Sequence, residues 1–354
     1  MVSLDTLARF AKKPPRQKLV AIKRKLGSLS SSLEASLALS ANYMLRPFDI
    51  QLLRVSRTWR PLERLEVLPD PEQTTPFSAP FLKGFQGSQI ESLQKPADFA
   101  VVMPTVLRPT IIDAIRSVFD QRFNGTIQTL IGIDATTSEL ARVEQYCRSI
   151  PDRQSILLFY PGYSTSRRHG GLHAARDGGS LRILLSYMAN SQYIAYLDDD
   201  NWWSDDHLST MHAVLSAGAE WAYALRWFVH PVSRQPICKD QWESVGPGRG
   251  YFKGWVDPNC LAINKTACES VLRWWSIPQP NSTGMNADRA GMNADRNVFH
   301  ILANQFRGAP TNRHSVFYEI TETDHMHPYR VSMIGEQRYN AAGNARVRPE
   351  CGWY

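Results

Sequence analysis

The sequence predicts an α/β fold: a mixed, mostly parallel sheet flanked by helices, preceded by a helical N-terminal extension. Three observations carry this. From residue 99 onward, short apolar runs alternate with segments of helical periodicity, the pattern of strands linked by crossover helices. Two of those runs end directly on carboxylates, at Asp134 and at Asp198-Asp199-Asp200. The charge is also uneven. Residues 1–66 hold 13 basic and 5 acidic side chains, 13 − 5 = +8, which leaves 7 − 8 = −1 for the rest of a chain of formal charge +7.

The extension comes first. Beyond Pro14-Pro15, apolar residues recur at Leu19, Ile22, Leu26, Leu29, Leu33 and Leu37, steps of three and four that describe one helix face. With the basic run from Arg9 to Lys25, such a helix suits three settings: packing on the main domain, a short coil in a homodimer, or the anionic surface of a membrane. Nucleic acid is not expected, because no aromatic interleaving or recognition motif accompanies the charge. Residues 67–97 are rich in Pro, Gln, Ser and Thr and read as a connecting segment without long helices or central strands.

At Phe99 the texture changes. Residues 99–103 read as a buried strand stopped by Pro104, and residues 111–119 follow with helical spacing. Strands are expected at 127–133, 155–160 and 193–197, with helices at 138–148 and 176–188 between them. In sheets of this kind ligands bind outside the carboxyl ends of the strands, which is where Asp134 and the Asp198 cluster fall. Further on, residues 260–264 read as another strand, and Val298, Phe299, Ile301 and Leu302 as one side of a helix. This gives a first α/β half at 98–203, a second half at 204–335 and a C-terminal tail at 336–354.

The five cysteines are scattered, odd in number and without a C-x-x-C pair, which argues against a zinc or redox motif and fits a reducing compartment. No signal-like apolar segment opens the sequence and no window of about 18 apolar residues occurs, so a cytoplasmic protein is expected, at most peripheral to the inner face of a membrane.

Asp198-Asp199-Asp200-Asn201 carries the chemistry. Three consecutive carboxylates repel one another unless a cation or solvent intervenes. Here they leave a core strand and are closed off by Trp202-Trp203, a placement suited to Mg²⁺ or Mn²⁺ shared with phosphates.

Four segments in order resemble family 2 glycosyltransferases of the GT-A (Rossmann-like) fold. Val101-Val102-Met103-Pro104-Thr105-Val106-Leu107-Arg108-Pro109 is similar to the family's first strand and P-T-x-x-R-P turn. Ile131-Gly132-Ile133-Asp134 is similar to the second strand with its terminal Asp, and His169 to Asp177 to the N-x-G-x-S-x-A-R-N stretch, with His169, His173 and Asp177 replacing the usual residues. Tyr196 to Trp203 is similar to the D-x-D motif in its setting.

The resemblance implies a nucleotide-sugar donor, a UDP-sugar by preference, and a carbohydrate, lipid-linked or other hydroxyl acceptor, as in polysaccharide biosynthesis, with inversion at the transferred sugar. It implies that Pro104, Thr105, Arg108 and Asp134 surround the nucleoside, with Asp199 beside them, and that Arg176 lies near the diphosphate. Asp198 and Asp200 form the D-x-D pair on Mn²⁺ or Mg²⁺, with His325 as a late metal ligand. Gly254 belongs to a glycine loop, 246–254, that approaches the donor sugar. The catalytic base falls in one of two near-copies, Gly284-Met285-Asn286-Ala287-Asp288-Arg289-Ala290 and Gly291-Met292-Asn293-Ala294-Asp295-Arg296-Asn297. Asp295 is favoured over Asp288 because it adjoins the amphipathic run; an N-cap is the structural alternative for either. Two rival functions stay open: a nucleotidyltransferase that makes nucleotide sugars, and a degenerate, non-catalytic adaptor.

Overall fold

The computed structural model describes residues 79–134, 139–166, 169–173, 178–252, 254–277, 294–322, 324 and 326–344. The expectations for the basic extension 1–66, for Arg176, Asp288 and His325, and for most of the duplicated heptad lie outside them.

The first strand, β1 (Phe81–Gln86), falls in the stretch read from sequence as a connection. It is a sheet edge, antiparallel to β4 (Gln154–Tyr160), so the proline-rich composition excluded a central strand but not this one. β2 spans Ala97–Thr105 and continues through Pro104, where a stop was expected. The reason is the side that Pro104 faces. Val102 accepts from the Leu197 amide on the β5 side, so Pro104, two residues on, points the same way; but β2 pairs with β5 (Ser191–Tyr196) only as far as Val102. The missing N–H therefore removes no ladder bond.

β2, β3 (Ile127–Ile133), β4 and β5 are mutually parallel, and α1 (Ile111–Phe119), α2 (Leu140–Cys147) and α3 (Gly179–Met188) fall between them in the chain. Residues 99–103 have no exposed surface, so both faces of β2 are covered, as crossover helices require. The second half adds β6 (Trp202–Trp203), α4 (His207–Ser216), β7 (Trp221–Val229), β8 (Pro236–Lys239), β9 (Gly246–Pro247), β10 (Gly254–Trp255) and β11 (Leu261–Asn264). α5 (Ala294–Gln305), β12 (Gly308–Glu319), α6 (His327–Ile334) and α7 (Glu336–Gly343) complete it. α7 lies in the stretch read as a tail, yet it buries Tyr339 against His230.

The main sheet has ten strands in the order β1-β4-β3-β2-β5-β11-β7-β12-β6, with β8 on β7. β1, β11, β6 and β8 run against the other six, a mixed, mostly parallel sheet as the sequence predicts. Chain order grows outward from β2 through β3 to β4, then returns to place β5 on the other side of β2. The carboxyl ends of β2 and β5 thus flank a topological switch point, where open α/β sheets form a binding crevice.

Candidate functional site at the strand ends

The switch point is built from the residues that follow β2 and β5. Beyond Thr105 the chain turns through Leu107, whose φ of 58° is left-handed without being glycine. The Thr105 hydroxyl holds this turn by accepting from the Leu107 amide at 2.7 Å. It also donates to Asp199 Oδ2 at 2.6 Å, tying the tip of β2 to the loop after β5. Both partners are buried, at 4% and 3% exposure. Arg108 then donates to Asp199 Oδ1 at 2.9 Å and pairs with Asp200.

Each carboxylate of the triplet has a different setting. Asp199 is the buried one; burial raises its pKa, opposed by Arg108 and the Thr105 hydrogen bond. Asp198 is clamped by Arg182 of α3 and by Asn259, whose amide donates to Asp198 Oδ2 at 3.0 Å. Asp200 accepts from the Asn201 side chain at 2.8 Å, and Asn201 in turn accepts from the Glu319 amide at 3.1 Å, bringing the end of β12 to the cluster. Burial, opposed by Arg108 and reinforced by Asp198, Asp199 and Glu319, pushes the Asp200 carboxyl up to about 7. Three carboxylates, Asp198, Asp199 and Asp200, thus share two arginines, Arg108 and Arg182.

That arrangement bears on the cation the sequence implies. Among the described residues there is no group of three or more His, Cys, Asp or Glu poised around a metal position. Mg²⁺ and Mn²⁺ ordinarily take one or two carboxylates, with phosphates and water completing the shell. Asp198 and Asp200 carry hard oxygens of that kind, held here by Arg182 and Asn259 and by Arg108 and Asn201 respectively.

Asp134 extends from β3 with 4% exposure. Its carboxylate accepts from the Thr165 amide at 2.6 Å, the Ser164 hydroxyl at 3.0 Å and the Thr165 hydroxyl at 3.2 Å. It therefore pins the loop after β4 across the end of β3. Ser180 of α3 donates to Thr165 at 2.6 Å, so the start of α3 joins the same corner. Gly178 caps α3 with a φ of 74°, and a Cβ there would stand 2.9 Å from Pro104. Only glycine combines that left-handed backbone with so close an approach to β2.

On the other side, Gly254 has a φ of 119°, and a Cβ on it would lie 2.6 Å from the Gly248 amide nitrogen. The two ends of the glycine loop therefore pair as a short antiparallel β9–β10 ladder. Trp255 follows, and the Arg296 guanidinium sits 3.9 Å over the Phe252 ring and 5.2 Å over Trp255. Asp295, the residue before Arg296, is in the first turn of α5, as the sequence predicts. Stacking by Arg296 thus docks the start of α5 on this loop.

Four residues that the sequence reading did not single out complete the site: Arg182, Arg226, Asp257 and Asn259. Arg226 has no exposed surface and donates to Asp240 at 2.8 Å, Glu243 at 2.7 Å and Asp257 at 2.6 Å. Its guanidinium also lies 4.0 Å from the Tyr318 ring centre. Asp240 is held below the usual carboxylate range: burial opposes ionisation, but Arg226 and three backbone amides outweigh it. Asp257 passes the network on to Asn259. A trace of these roles was legible in Arg182 within an apolar helix and in the Asp-Pro-Asn turn before β11.

No protein-family model matches the sequence, and no curated protein matches it. Among solved structures, the chain is similar to S. aureus TarS 1–349 in complex with UDP-GlcNAc, at 12% identity and a TM-score of 0.44. That likeness covers 65% of this chain and 60% of TarS 1–349. It is also similar to the mannosyltransferase PcManGT from Pyrobaculum calidifontis in complex with GDP-Man and Mn²⁺, at 12% identity and a TM-score of 0.44, covering 67% of this chain and 61% of that one.

Proposed function

We propose that this chain is a metal-dependent glycosyltransferase of the family 2, GT-A kind, moving a sugar from a nucleotide-diphosphate sugar to an acceptor hydroxyl with inversion. The observation that carries the proposal is the carboxylate triplet at the switch point, three acids on two arginines, with Thr105 at the end of β2 and Arg108 in the turn after it facing the cluster. An anionic crevice of this kind needs a cation before a diphosphate can enter, and the four motif segments in the sequence name the donor class.

In this reading Asp198 and Asp200 hold Mn²⁺ or Mg²⁺. When bound, the ion neutralises charge on the departing diphosphate. The protein's own residues do the rest. Arg182 and Asn259 hold Asp198 in one orientation, and Arg108 is a permanent cation beside the cluster. Asp134 shapes the nucleoside corner by fixing Ser164 and Thr165. The Gly254 loop lets backbone approach the donor, and Asp295 takes the proton from the attacking hydroxyl, a contribution of about 10²–10⁴-fold.

The test is a thermal-shift series of UDP, GDP and ADP with and without Mn²⁺, followed by donor hydrolysis. One diphosphate should raise Tm only with the metal; a ligand at ~100 times its Kd adds ~2.7 kcal/mol. If no diphosphate stabilises the chain under either condition, the proposal fails. Binding without turnover of any sugar donor would favour the adaptor reading.

A further inference from the structure

Asn259 sits at an unusual crossing of bonds. It has no exposed surface, and each hydrogen-bonding atom of its side chain is committed. The side-chain carbonyl accepts from the Asp198 amide at 2.6 Å. The side-chain NH₂ donates to Asp198 Oδ2 at 3.0 Å and to Asp257 Oδ1 at 2.6 Å. Its backbone is held as well. The amide donates to Asp257 Oδ1 at 2.9 Å, and the carbonyl accepts from Trp203 Nε1 at 2.9 Å. One residue thus grips the Asp198 main chain, the Asp198 carboxylate and the tryptophan just past the triplet.

Asn259 is itself anchored. Asp257 Oδ2 accepts from Arg226 at 2.6 Å, and Arg226 is locked between Asp240 and Glu243. Glu243 also accepts from Arg330 at 2.9 and 2.8 Å. A rigid, fully buried ion network therefore ends on an amide that orients Asp198. Asn is suited to that place because it presents an acceptor and two donors in one plane; Asp has no donor there when ionised, and Ser is too short to reach both carboxylates.

We infer that Asn259, anchored through Asp257 by Arg226, is a positioning residue that sets the orientation of Asp198 and thereby the affinity of the acidic centre for a divalent cation and diphosphate. The inference rests on the reading of Asp198 and Asp200 as the metal–diphosphate site. Partners that orient a metal's ligands typically contribute about 10–100-fold in metal affinity or activity.

The test uses the full chain with two variants, Asn259→Ser and Asp257→Asn, each titrated with Mn²⁺ at saturating UDP (or whichever diphosphate the parent prefers), with the thermal shift as readout. Asn259→Ser removes the grip on Asp198, while Asp257→Asn keeps the shape and loosens the anchor. The Mn²⁺ midpoint should move at least about 10-fold higher for Asn259→Ser and in the same direction for Asp257→Asn. A purely structural role would lower the metal-free Tm and leave the midpoint in place. If the midpoint is unchanged while the parent responds, the inference is overturned and the proposed function stands. If the parent itself shows no Mn²⁺-dependent response, both fall. Should Asn259→Ser fail to fold, the Asp257→Asn midpoint decides.

Discussion

Replacing Asp200 by Asn should make the protein more stable at neutral and alkaline pH while removing its response to nucleotide. Asp200 titrates at about 7 in the folded chain against 3.8 for a free side chain, so between those values the folded state binds more protons than the unfolded one. A raised pKa of this kind stabilises fully at acid pH, below the unfolded value, and the stabilisation is lost as pH rises through about 7. At about 1.4 kcal/mol per pH step, ionising Asp200 in place costs up to about 4 kcal/mol. Its side chain keeps 30% of its surface exposed. Solvent screening brings the figure to about 2 kcal/mol. The Asn side chain keeps the shape and the acceptor for Asn201 but never ionises, and Arg108 retains Asp199. Urea unfolding of parent and variant should therefore coincide near pH 4 and diverge to about 2 kcal/mol in favour of the variant near pH 8. A variant less stable than the parent at pH 8, or a difference that does not change with pH, would refute the reasoning.

Arg226→Met removes the cation shared by Asp240, Glu243 and Asp257, and breaking a buried pair in this way costs about 3–5 kcal/mol; a loss under about 1 kcal/mol in urea would contradict the network's role. Asp295→Asn should cut sugar transfer by about 10²–10⁴-fold and leave donor binding intact, whereas Asp288→Asn should cost only a few-fold; initial rates for the pair reassign the base if Asp288 matters more. Cys147, Cys238, Cys260 and Cys268 are buried, and burial pushes the Cys147 and Cys268 thiols up to about 12. A Cys351→Ser chain should therefore resist a disulfide-exchange reagent at pH 8 until it is denatured, and rapid native labelling would show those thiols to be accessible. If the +8 segment 1–66 meets an anionic membrane, the full chain should float with acidic liposomes at low salt and detach as salt rises, and flotation insensitive to salt would argue against it.

Much of the fold could be read from local pattern alone. Residues 99–103 are apolar without alternation, which only a strand covered on both faces tolerates, and residues 127–133, apolar apart from Gln128 and Thr129, are likewise buried along their length. Asp134 and Asp198 were legible as strand-end residues because the apolar runs stop there abruptly, and Asp295 as a helix-start residue because the 3–4 spacing begins beside it. β1 was hidden, because Phe81-Leu82-Lys83-Gly84-Phe85-Gln86 is polar enough to pass for a loop and becomes a strand only because β4 offers it an edge. Pro104 misled for a related reason: whether a missing N–H matters depends on what it faces across space, and the pairing of β2 with β5 ends two residues earlier, at Val102 and Tyr196.

The roles within the acidic centre were decided by tertiary structure. Three adjacent Asp residues look equivalent in a sequence, but each meets different partners. Asp199 is buried on Thr105 and Arg108, Asp198 is clamped by Arg182 and Asn259, and Asp200 meets Arg108 and Asn201 while burial pushes its carboxyl up to about 7. None of these distinctions is local, since the partners arrive from β2, from α3 and from the turn before β11. Arg226 makes the point most sharply. Within β7 it is a lone charge in an apolar run, which by composition is an anomaly; folded, it is the cation of three buried carboxylates. Sequence determined which groups the chain can bring to a switch point, because periodicity and strand ends are short-range properties. The order of the strands determined which group holds which, because hydrogen bonds and ion pairs are made across space between segments that periodicity treats as independent.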